Sequence, residues 1–433
     1  MSQKTPKSAP QQGQAARLAA VQLLNAVTVK KRLLSEVSGP KGPMGRLDAA
    51  DKARAQRLAT TTLRFMDRAD RLLGPFIRRR PTPEVHNILR LAVVEIFVEG
   101  APAHGVGNAL VAIARDGRET THSAGMVNAI IRKLGALSVE GWEKLPAPRM
   151  PKWLRKPLLA DYGKAIIEKI EQAHALGAPL DLSFKEDAVL PEGELLPTGS
   201  LRIRDAGQVS ALEGYAEGGW WVQDAAAALP VKILAPQKGE RVLDLCAAPG
   251  GKTMQIAASG ADVTAVDLSK SRMERVAENL ERTGFDVETV VSDALEFKAE
   301  PYDAILLDAP CTATGTIRRH PDLPYAKDGS EFPELFALQE RMIDHALTLL
   351  KPNGRLVFCT CSLLFDEGEI QIEDALKRHP NLIVDSVALK VAGVDPEWIS
   401  KEGGLRLRPD YFAAQGGMDG FYIAVLRHKD AKS

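Results

Sequence analysis

Cysteine is scarce in this chain: its 433 residues include four. A disulfide framework requires many paired cysteines, so the sequence predicts a reduced, cytoplasmic protein. A run of about 20 apolar residues is also missing, which predicts no membrane span. The first residues, MSQKTPKSAPQQGQ, lack the apolar stretch of a secretory signal. Their Pro, Gln and Ser content predicts a disordered tail over residues 1–14.

Net charge is absent as well, because 56 Lys and Arg residues balance 56 Asp and Glu residues. The balance is uneven, since residues 15–135 hold 20 basic side chains and 10 acidic ones. A basic module favours a polyanionic partner such as nucleic acid, with a merely solubilising surface as the alternative. Within it, IRRRPTP at 77–83 places three arginines on a predicted loop. Phosphate anchoring and a plain solvated loop are both open there.

The apolar pattern changes twice along the chain and predicts a multidomain protein. Apolar residues at helical spacing predict an all-α bundle over residues 15–137. The pattern over residues 138–215 predicts a linker followed by a small α+β domain. From 216 to 429 strands alternate with helices, which predicts an α/β domain with a doubly wound, mostly parallel sheet. Ligands of such sheets bind beyond the carboxyl ends of the strands.

The stretch LDLCAAPGGKT at 243–253 follows the first of these strands. Its end matches a phosphate-binding loop, but Cys246 stands where that motif requires its first glycine. Acidic residues lie in or after neighbouring strands, at Asp244, Asp267, Asp293 and Asp308. Carboxylates repel phosphates but suit ribose hydroxyls, adenine and positive charge. The loop therefore predicts S-adenosylmethionine as the cofactor.

Two cysteines also follow strands of this domain, Cys311 in DAPC and Cys361 in FCTCS. A thiolate that adds to carbon 6 of cytosine makes carbon 5 nucleophilic enough to accept a methyl group. A carboxyl group near ring N3 would assist the addition. The chemistry alone does not decide which cysteine attacks, and buried cysteines more often serve as small apolar residues.

The other two cysteines, Cys246 and Cys359, are predicted to pack as such apolar residues. Strand alternation predicts that Cys359 faces away from Cys361. No C-x-x-C pair occurs, so a zinc site is not expected.

At LDLCAAPGGKT, DAPCTATGTIRRHPD and TCS the sequence resembles the RNA cytosine-5 methyltransferases. In front of them, ILRLAVVEIFVEGAPAHGVGNALVAIAR and GMVNAIIRKL resemble the NusB-like RNA-binding domain. The resemblance covers nearly the whole chain after residue 15. It implies a Rossmann-like class I methyltransferase domain that needs no metal and acts, as a monomer, on 16S ribosomal RNA. The motifs leave open the same reaction on tRNA or another RNA, and a non-catalytic RNA-binding or ribosome assembly factor.

The resemblance also implies roles for single residues. Cys361 would be the nucleophile, Cys311 would help to release the product, and Asp308 would contact ring N3 as an acid. The implied cofactor contacts are Cys246, Ala247, Ala248, Pro249, Gly250, Gly251, Lys252, Asp267, Asp293 and Asp308.

This chain departs from the family pattern in two places. LFDEGE stands where the family has Pro-Glu-Glu-Asn-Glu, and Asp410 stands in place of a histidine. Both departures concern the shape of the RNA pocket rather than the reaction.

Overall fold

A computed structural model describes residues 13–429. The disordered tail predicted for residues 1–14 lies outside this range, apart from its last two residues. Contacts divide the chain into two compact units. Within the described residues, the helical unit comprises residues 13–156, 164–175 and 319–329, and the sheet unit comprises residues 157–163, 176–318 and 330–429. Across the described residues, no helix has the length and apolar character needed to cross a membrane.

The helical unit is built from short helices around one apolar core, as the sequence predicts. Helix α3 begins where Asp48 accepts a hydrogen bond from the Asp51 N–H, at 2.8 Å. The core holds fully buried leucines from several helices, among them Leu23, Leu58 and Leu110. The helices are α1 (Gln14–Thr28), α2 (Leu34–Val37), α3 (Ala49–Arg64), α4 (Met66–Leu73), α5 (Pro83–Phe97), α6 (Ala103–Asp116), α7 (Ala124–Leu134), α8 (Val139–Glu143) and α9 (Lys152–Leu176).

The stretch predicted as a linker continues the helical core. Trp142 of α8 is buried, and its ring lies 5.9 Å from that of Phe65 and 6.0 Å from that of Phe97. Helix α9 then kinks at Gly163, whose φ of 75° a side chain would disfavour. The division into domains at residues 137 and 215 stays a prediction.

The sheet unit begins with a small antiparallel sheet. Its strands are β1 (Leu180–Phe184), β2 (Glu194–Leu195), β3 (Leu201–Ile203) and β4 (Trp220–Val222), in the order β2-β3-β1-β4. Leu182 and Trp220 are fully buried between the strands and the loops that follow them.

The larger sheet has eight strands, and its order is β10-β12-β9-β8-β5-β6-β7 with β11 beside β12. Strands β5 to β9 are parallel, and β12 runs antiparallel to β9. The strands are β5 (Arg241–Leu245), β6 (Asp262–Asp267), β7 (Glu288–Val291), β8 (Tyr302–Asp308), β9 (Leu350–Thr360), β10 (Leu382–Val384), β11 (Leu405–Leu407) and β12 (Phe421–His428).

Helices cover both faces of this sheet, which confirms the predicted doubly wound class. Successive residues of one strand enter different apolar clusters: Leu243 of β5 packs with Ile343, whereas Val242 packs with Leu229. The helices of the sheet unit are α10 (Ala225–Leu234), α11 (Gly251–Ala257), α12 (Lys270–Thr283), α14 (Phe332–Thr348) and α15 (Glu369–Arg378), whereas the short helix α13 (Leu323–Ala326) belongs to the helical unit. The parallel strands β5, β6, β8 and β9 all end at the edge where the predicted site residues follow.

Candidate active site

The glycine-containing loop connects β5 to α11. Ala247 and Ala248 are buried, and Gly250 precedes α11 with a φ of 97°. A side chain at Gly250 would be strained in this left-handed conformation, and its Cβ would lie 3.2 Å from Val276. The sequence PGG thus allows a tight turn that leads directly into the first turn of a helix.

Asp267 at the end of β6 fixes this loop. Its Oδ2 accepts the Ala248 N–H at 3.2 Å, and its Oδ1 accepts the Ser269 N–H at 2.9 Å. Arg272 lies 3.6 Å from the same carboxylate. Asp293 follows β7, the neighbour of β6, and accepts a hydrogen bond from the Leu295 N–H of its own turn at 2.9 Å. Both acids therefore lie beyond the carboxyl ends of adjacent strands.

Asp244 lies inside β5 and is fully buried. The hydroxyl of Thr253 donates to its Oδ2 at 2.6 Å, while its Oδ1 has no hydrogen-bond partner in the described part of the chain. Burial raises the pKa of Asp244 to about 7, because the charged form loses its hydration.

Lys252 of the loop directs its side chain to Asp308 at the end of β8. Its Nζ lies 2.7 Å from Asp308 Oδ2 and 5.1 Å from the ring centre of Phe421. Burial opposes the charged form of Lys252, but the attraction of Asp308 outweighs it, so the pKa of Lys252 is raised. Lys252 therefore keeps its positive charge at neutral pH.

The other oxygen of Asp308 contacts Cys359, whose thiol donates to Oδ1 at 3.5 Å. The prediction that Cys359 faces away from Cys361 is wrong. Residues two apart on a strand share a face, so alternation itself favours the same side for both cysteines, and both pack against one apolar cluster.

The two remaining cysteines meet beyond the ends of β8 and β9. The Sγ atoms of Cys311 and Cys361 are 3.4 Å apart. This contact, together with burial, raises the pKa of the Cys311 thiol well above its ordinary value. Cys311 therefore carries its proton at neutral pH and can offer it to the sulfur of Cys361.

A buried carboxylate that the sequence did not reveal supports both cysteine loops. Glu367 is fully buried. Its carboxylate accepts hydrogen bonds from the Thr312 N–H at 2.9 Å, the Thr312 hydroxyl at 2.5 Å and the Gln339 amide at 3.0 Å. Its backbone oxygen accepts from the Thr360 hydroxyl at 2.8 Å. Glu367 thus joins the neighbours of Cys311 and Cys361.

The residues at the two positions where this chain departs from the family pattern make close contacts with nearby side chains. In LFDEGE, a Cβ at Gly368 would lie 2.5 Å from Arg406 Nη2 and 2.6 Å from the Tyr422 ring. No side chain fits there, because Arg406 reaches past this position to Glu369, at 2.5 Å. Asp410 pairs with Arg408 at 3.0 Å.

The described part of the chain was searched for side chains that could together bind a metal ion. No group of three or more His, Cys, Asp or Glu side chains suited to hold a metal occurs among residues 13–429.

Two family models match the chain. The model "16S rRNA methyltransferase RsmB/F" matches residues 231–427, and the NusB family model matches residues 14–136. The ribosomal RNA small subunit methyltransferase B of Pseudomonas putida is 33% identical over an alignment of 442 positions, which covers 95% of this chain and 98% of that protein. The protein of the same name from Vibrio cholerae is 33% identical over 367 residues, covering 79% and 80%.

Solved structures share the fold. The crystal structure of PH0851 matches with a TM-score of 0.72 at 23% identity, covering 98% of this chain and all 100% of the other. A methyltransferase homologue from Pyrococcus horikoshii matches with a TM-score of 0.53 at 26% identity, covering 64% and 95%.

Proposed function

This chain belongs to the 16S rRNA methyltransferase RsmB/F family, and we propose that it transfers a methyl group from S-adenosylmethionine to carbon 5 of a cytosine in 16S ribosomal RNA. The predicted family and its NusB domain are confirmed by the family models and by the named relatives. The contact between Cys311 and Cys361 is the observation that supports carbon 5 as the target atom. Amino-group methylation has no use for a nucleophilic thiol, whereas transfer to carbon 5 requires one.

The residues around the β5 loop fit S-adenosylmethionine. When bound, this cofactor would supply an electrophilic methyl group and would leave as the thioether S-adenosylhomocysteine. The buried Oδ1 of Asp244 lacks a partner in the described chain, and a carboxylate near the loop suits a cationic ligand. Asp267 keeps further lone pairs on oxygens that already accept backbone N–H groups, and these suit ribose hydroxyls. We assign the cofactor to residues 246–252 together with Asp267, Asp293 and Asp308.

Cys361 is the proposed nucleophile. Its thiolate forms a bond to carbon 6 of the cytosine, and the ring electrons move toward carbon 5 and N3. A proton donor at N3 favours this addition, and Asp308 is assigned that contact. The ammonium group of Lys252, 2.7 Å from Asp308, orients that carboxyl group.

Cys311 is proposed to act after the methyl group has arrived at carbon 5. A base then removes the carbon 5 proton, the bond between carbon 6 and Cys361 breaks, and Cys361 leaves with the electron pair. The raised pKa of Cys311 keeps its thiol protonated, and its Sγ lies 3.4 Å from the departing sulfur. A hydrogen bond from that thiol stabilises the leaving thiolate.

Single-turnover methylation of 16S rRNA by cysteine variants tests this mechanism. Cys361→Ala should transfer no methyl group and form no covalent RNA adduct. Cys311→Ala should methylate once and then remain attached to the RNA, because release is impaired. A denaturing gel should show this species as a slow band that ribonuclease removes.

The double variant Cys311→Ala/Cys361→Ala is the matched control. It should lose the slow band, which would identify Cys361 as the attached sulfur. A band that appears in Cys361→Ala instead would make Cys311 the nucleophile. Partial activity in both single variants, without a slow band, would indicate that the two cysteines only pack within the site.

The same assay distinguishes the alternative functions that the family motifs leave open. Transfer to tRNA in place of 16S rRNA would change the substrate and keep the chemistry. Binding of RNA without transfer by the wild-type protein would indicate an assembly factor. The names of the relatives support ribosomal RNA, and we assign the protein to the cytoplasm as a monomer.

A further inference from the structure

Glu367 is a buried acid on the short turn between β9 and α15, and no step of the proposed methyl transfer uses it. Its carboxylate accepts hydrogen bonds from neutral donors, which are the backbone N–H and hydroxyl of Thr312 and the side-chain amide of Gln339. Burial of a carboxylate among neutral donors is costly, because the charge loses its hydration and gains no cation in return.

The hydrogen bonds at this position do not require a negative charge. A glutamine at position 367 could accept the Thr312 N–H through its amide oxygen and donate to the Thr312 hydroxyl through its amide nitrogen. The same donors would then be satisfied without a charge to bury. The acid therefore indicates a role for its charge in addition to its hydrogen bonds.

Glu367 helps to hold Cys311 from both sides along the chain. Its Oε1 accepts the Thr312 N–H at 2.9 Å, which fixes the residue after Cys311. The amide of Gln339 donates to the same Oε1 at 3.0 Å and to the Pro310 backbone oxygen at 2.9 Å, which fixes the residue before it. Gln339 is itself fully buried on α14. The backbone of Cys311 is therefore held to one position.

The same residue holds the chain around Cys361. The backbone oxygen of Glu367 accepts the Thr360 hydroxyl at 2.8 Å, directly before Cys361. Directly after it, the Ser362 hydroxyl lies 3.3 Å from that of Thr312. These hydroxyl residues are buried, so water does not compete for their hydrogen bonds. Glu367 thus links the two loops whose cysteine Sγ atoms lie 3.4 Å apart.

The charge of Glu367 acts on Cys311 as well. The hydrogen bond with Cys361 and burial raise the pKa of the Cys311 thiol, and the negative charge of Glu367 adds to this rise. A like charge near a thiol disfavours the thiolate, and the release step described above needs the thiol.

We propose that Glu367 is a positioning residue for product release, which holds Cys311 beside Cys361 and places a negative charge near the Cys311 thiol. In that step the bond between carbon 6 and Cys361 breaks, and the sulfur takes its electron pair. The electrons of the broken carbon 5 to hydrogen bond restore the ring double bond, and a base takes the proton. Glu367 gains and loses no atom. This inference rests on the proposed function, because it concerns one step of that reaction.

Two variants of the full-length protein separate position from charge. E367D keeps the charge and shortens the side chain by one methylene group, whereas E367Q keeps the length and removes the charge. The same changes at Glu373, an exposed glutamate of α15, give the matched controls E373D and E373Q. The probe is 16S rRNA transcribed in vitro, with methyl transfer in a single turnover and the lifetime of the covalent adduct as readouts.

E367D should transfer the methyl group at close to the wild-type rate and then release the RNA about tenfold to a hundredfold more slowly. A misplacement of about 1 Å has an effect of this order on a step that depends on orientation. The adduct should therefore accumulate, as in Cys311→Ala. Release by E367D at the wild-type rate would overturn the proposal. So would a parallel loss of transfer and release with a lower melting temperature, which is the behaviour of a purely structural residue.

A double variant tests whether Glu367 acts through Cys311. E367D/C311A should release the RNA at the rate of C311A alone, because two changes that disable one interaction are not additive. A further slowing in the double variant would overturn the proposal. The E373D and E373Q proteins should release the RNA like the wild type.

The charge has a readout that needs no RNA. Cys311 is partly exposed, and its alkylation by iodoacetamide can be followed by mass spectrometry in the Cys361→Ala background. E367Q should increase the rate at pH 8 by about threefold to tenfold, because loss of the negative charge lowers the pKa of Cys311. The two rates should converge at high pH. An unchanged rate, or an increase by one factor at every pH, would overturn the role of the charge, since the latter indicates loosened packing.

Failure of this proposal can be told apart from failure of the proposed function. Methyl transfer by the wild type and an adduct in Cys311→Ala, together with normal release by E367D, would reject the role of Glu367 alone. A wild-type protein that transfers no methyl group would reject the proposed reaction and its release step. The alkylation rates would still decide whether the charge of Glu367 acts on Cys311.

Discussion

The two units use charged side chains in different ways. In the helical unit, cations such as Arg80 and Lys152 are exposed. A surface pair such as Arg57–Glu99 joins two partly exposed side chains at 3.3 Å. In the sheet unit, Arg202, Arg318 and Arg406 are buried. Exposed charge attracts a polyanion from a distance and is screened by salt. Buried charge fixes one position of the chain and depends on a particular partner.

The buried arginines of the sheet unit hold the loops around the strand ends. Arg202 binds Asp181 through two hydrogen bonds of 2.6 Å and also donates to the Gly417 backbone oxygen at 2.7 Å. Arg318 binds both Asp224 and Asp419, at 2.6 and 2.9 Å. These side chains therefore connect segments that are far apart in the sequence.

Removal of a buried partner should have the largest effect. Arg202→Met leaves the Asp181 carboxylate buried without its cation, and we expect the sheet unit to lose about 3–5 kcal/mol of stability. Its neighbour Arg204 pairs with Glu194 at 3.4 Å in an exposed position. Arg204→Met should therefore cost less than about 1 kcal/mol. Urea unfolding of both variants measures the difference, and equal losses would contradict the contrast between buried and exposed charge.

Asp244 adds another case to the comparison of buried and exposed charges: it is a buried acid that forms no ion pair with a cation within residues 13–429. Folding raises its pKa from 3.8 to about 7, so the native state binds more protons than the unfolded state between these values. Stability of the cofactor-free protein should therefore fall as the pH rises toward 7, by up to about 1.4 kcal/mol per pH unit and about 4 kcal/mol in all. Asp244→Asn should flatten this slope in thermal unfolding between pH 5 and 8. A variant with the wild-type slope would exclude Asp244 as the cause.

A smaller effect is expected at the proposed cofactor site. Asp267→Ala removes the acceptor assigned to the ribose and the support of the Ala248 N–H. S-adenosylmethionine should then bind more weakly by about 1.5–3 kcal/mol, as measured by calorimetry. Asp262→Ala, at the exposed start of the same strand, is the control and should keep the wild-type affinity. Equal affinities of the wild type, Asp267→Ala and Asp262→Ala would contradict the assignment of Asp267 to the cofactor.

The smallest effect is expected at the surface of the helical unit. Arg57→Gln breaks the exposed pair with Glu99 and should change stability by less than about 1 kcal/mol. The difference should shrink further at 0.5 M salt, where exposed charges are screened. A loss comparable with that of Arg202→Met would show that exposure does not govern these energies.

The positions of the site loops follow from the sequence, because parallel strands end at a common edge. Asp267, Asp308 and Cys361 each come directly after a strand or at its last residue, and strand alternation with helices is readable without a structure. The short strands β10 and β11 were not predicted, since three residues show no periodicity.

Side-chain partners were much harder to predict. Glu367 resembles any surface acid in the sequence, and its partner Thr312 lies 55 positions away. Lys252 was assigned to the cofactor loop, yet its ammonium group reaches Asp308. The orientation of Cys359 was predicted wrongly, because Cys359 and Cys361 are two positions apart and alternation places such residues on the same face. Periodicity reports which face of an element is apolar, but it carries no information on pairs formed between distant elements.

The route of the chain bears on how such a protein can evolve. Residues 319–329 belong to the helical unit, although the chain on both sides of them belongs to the sheet unit. Within that unit Leu34 and Trp153 hydrogen-bond to Asp322 and Pro324, and Leu323 and Ala326 are buried. A recombination that replaced the N-terminal module would leave this segment without its receiving surface and would expose its apolar side chains. A foreign module would therefore fit this chain only if residues 319–329 were exchanged with it.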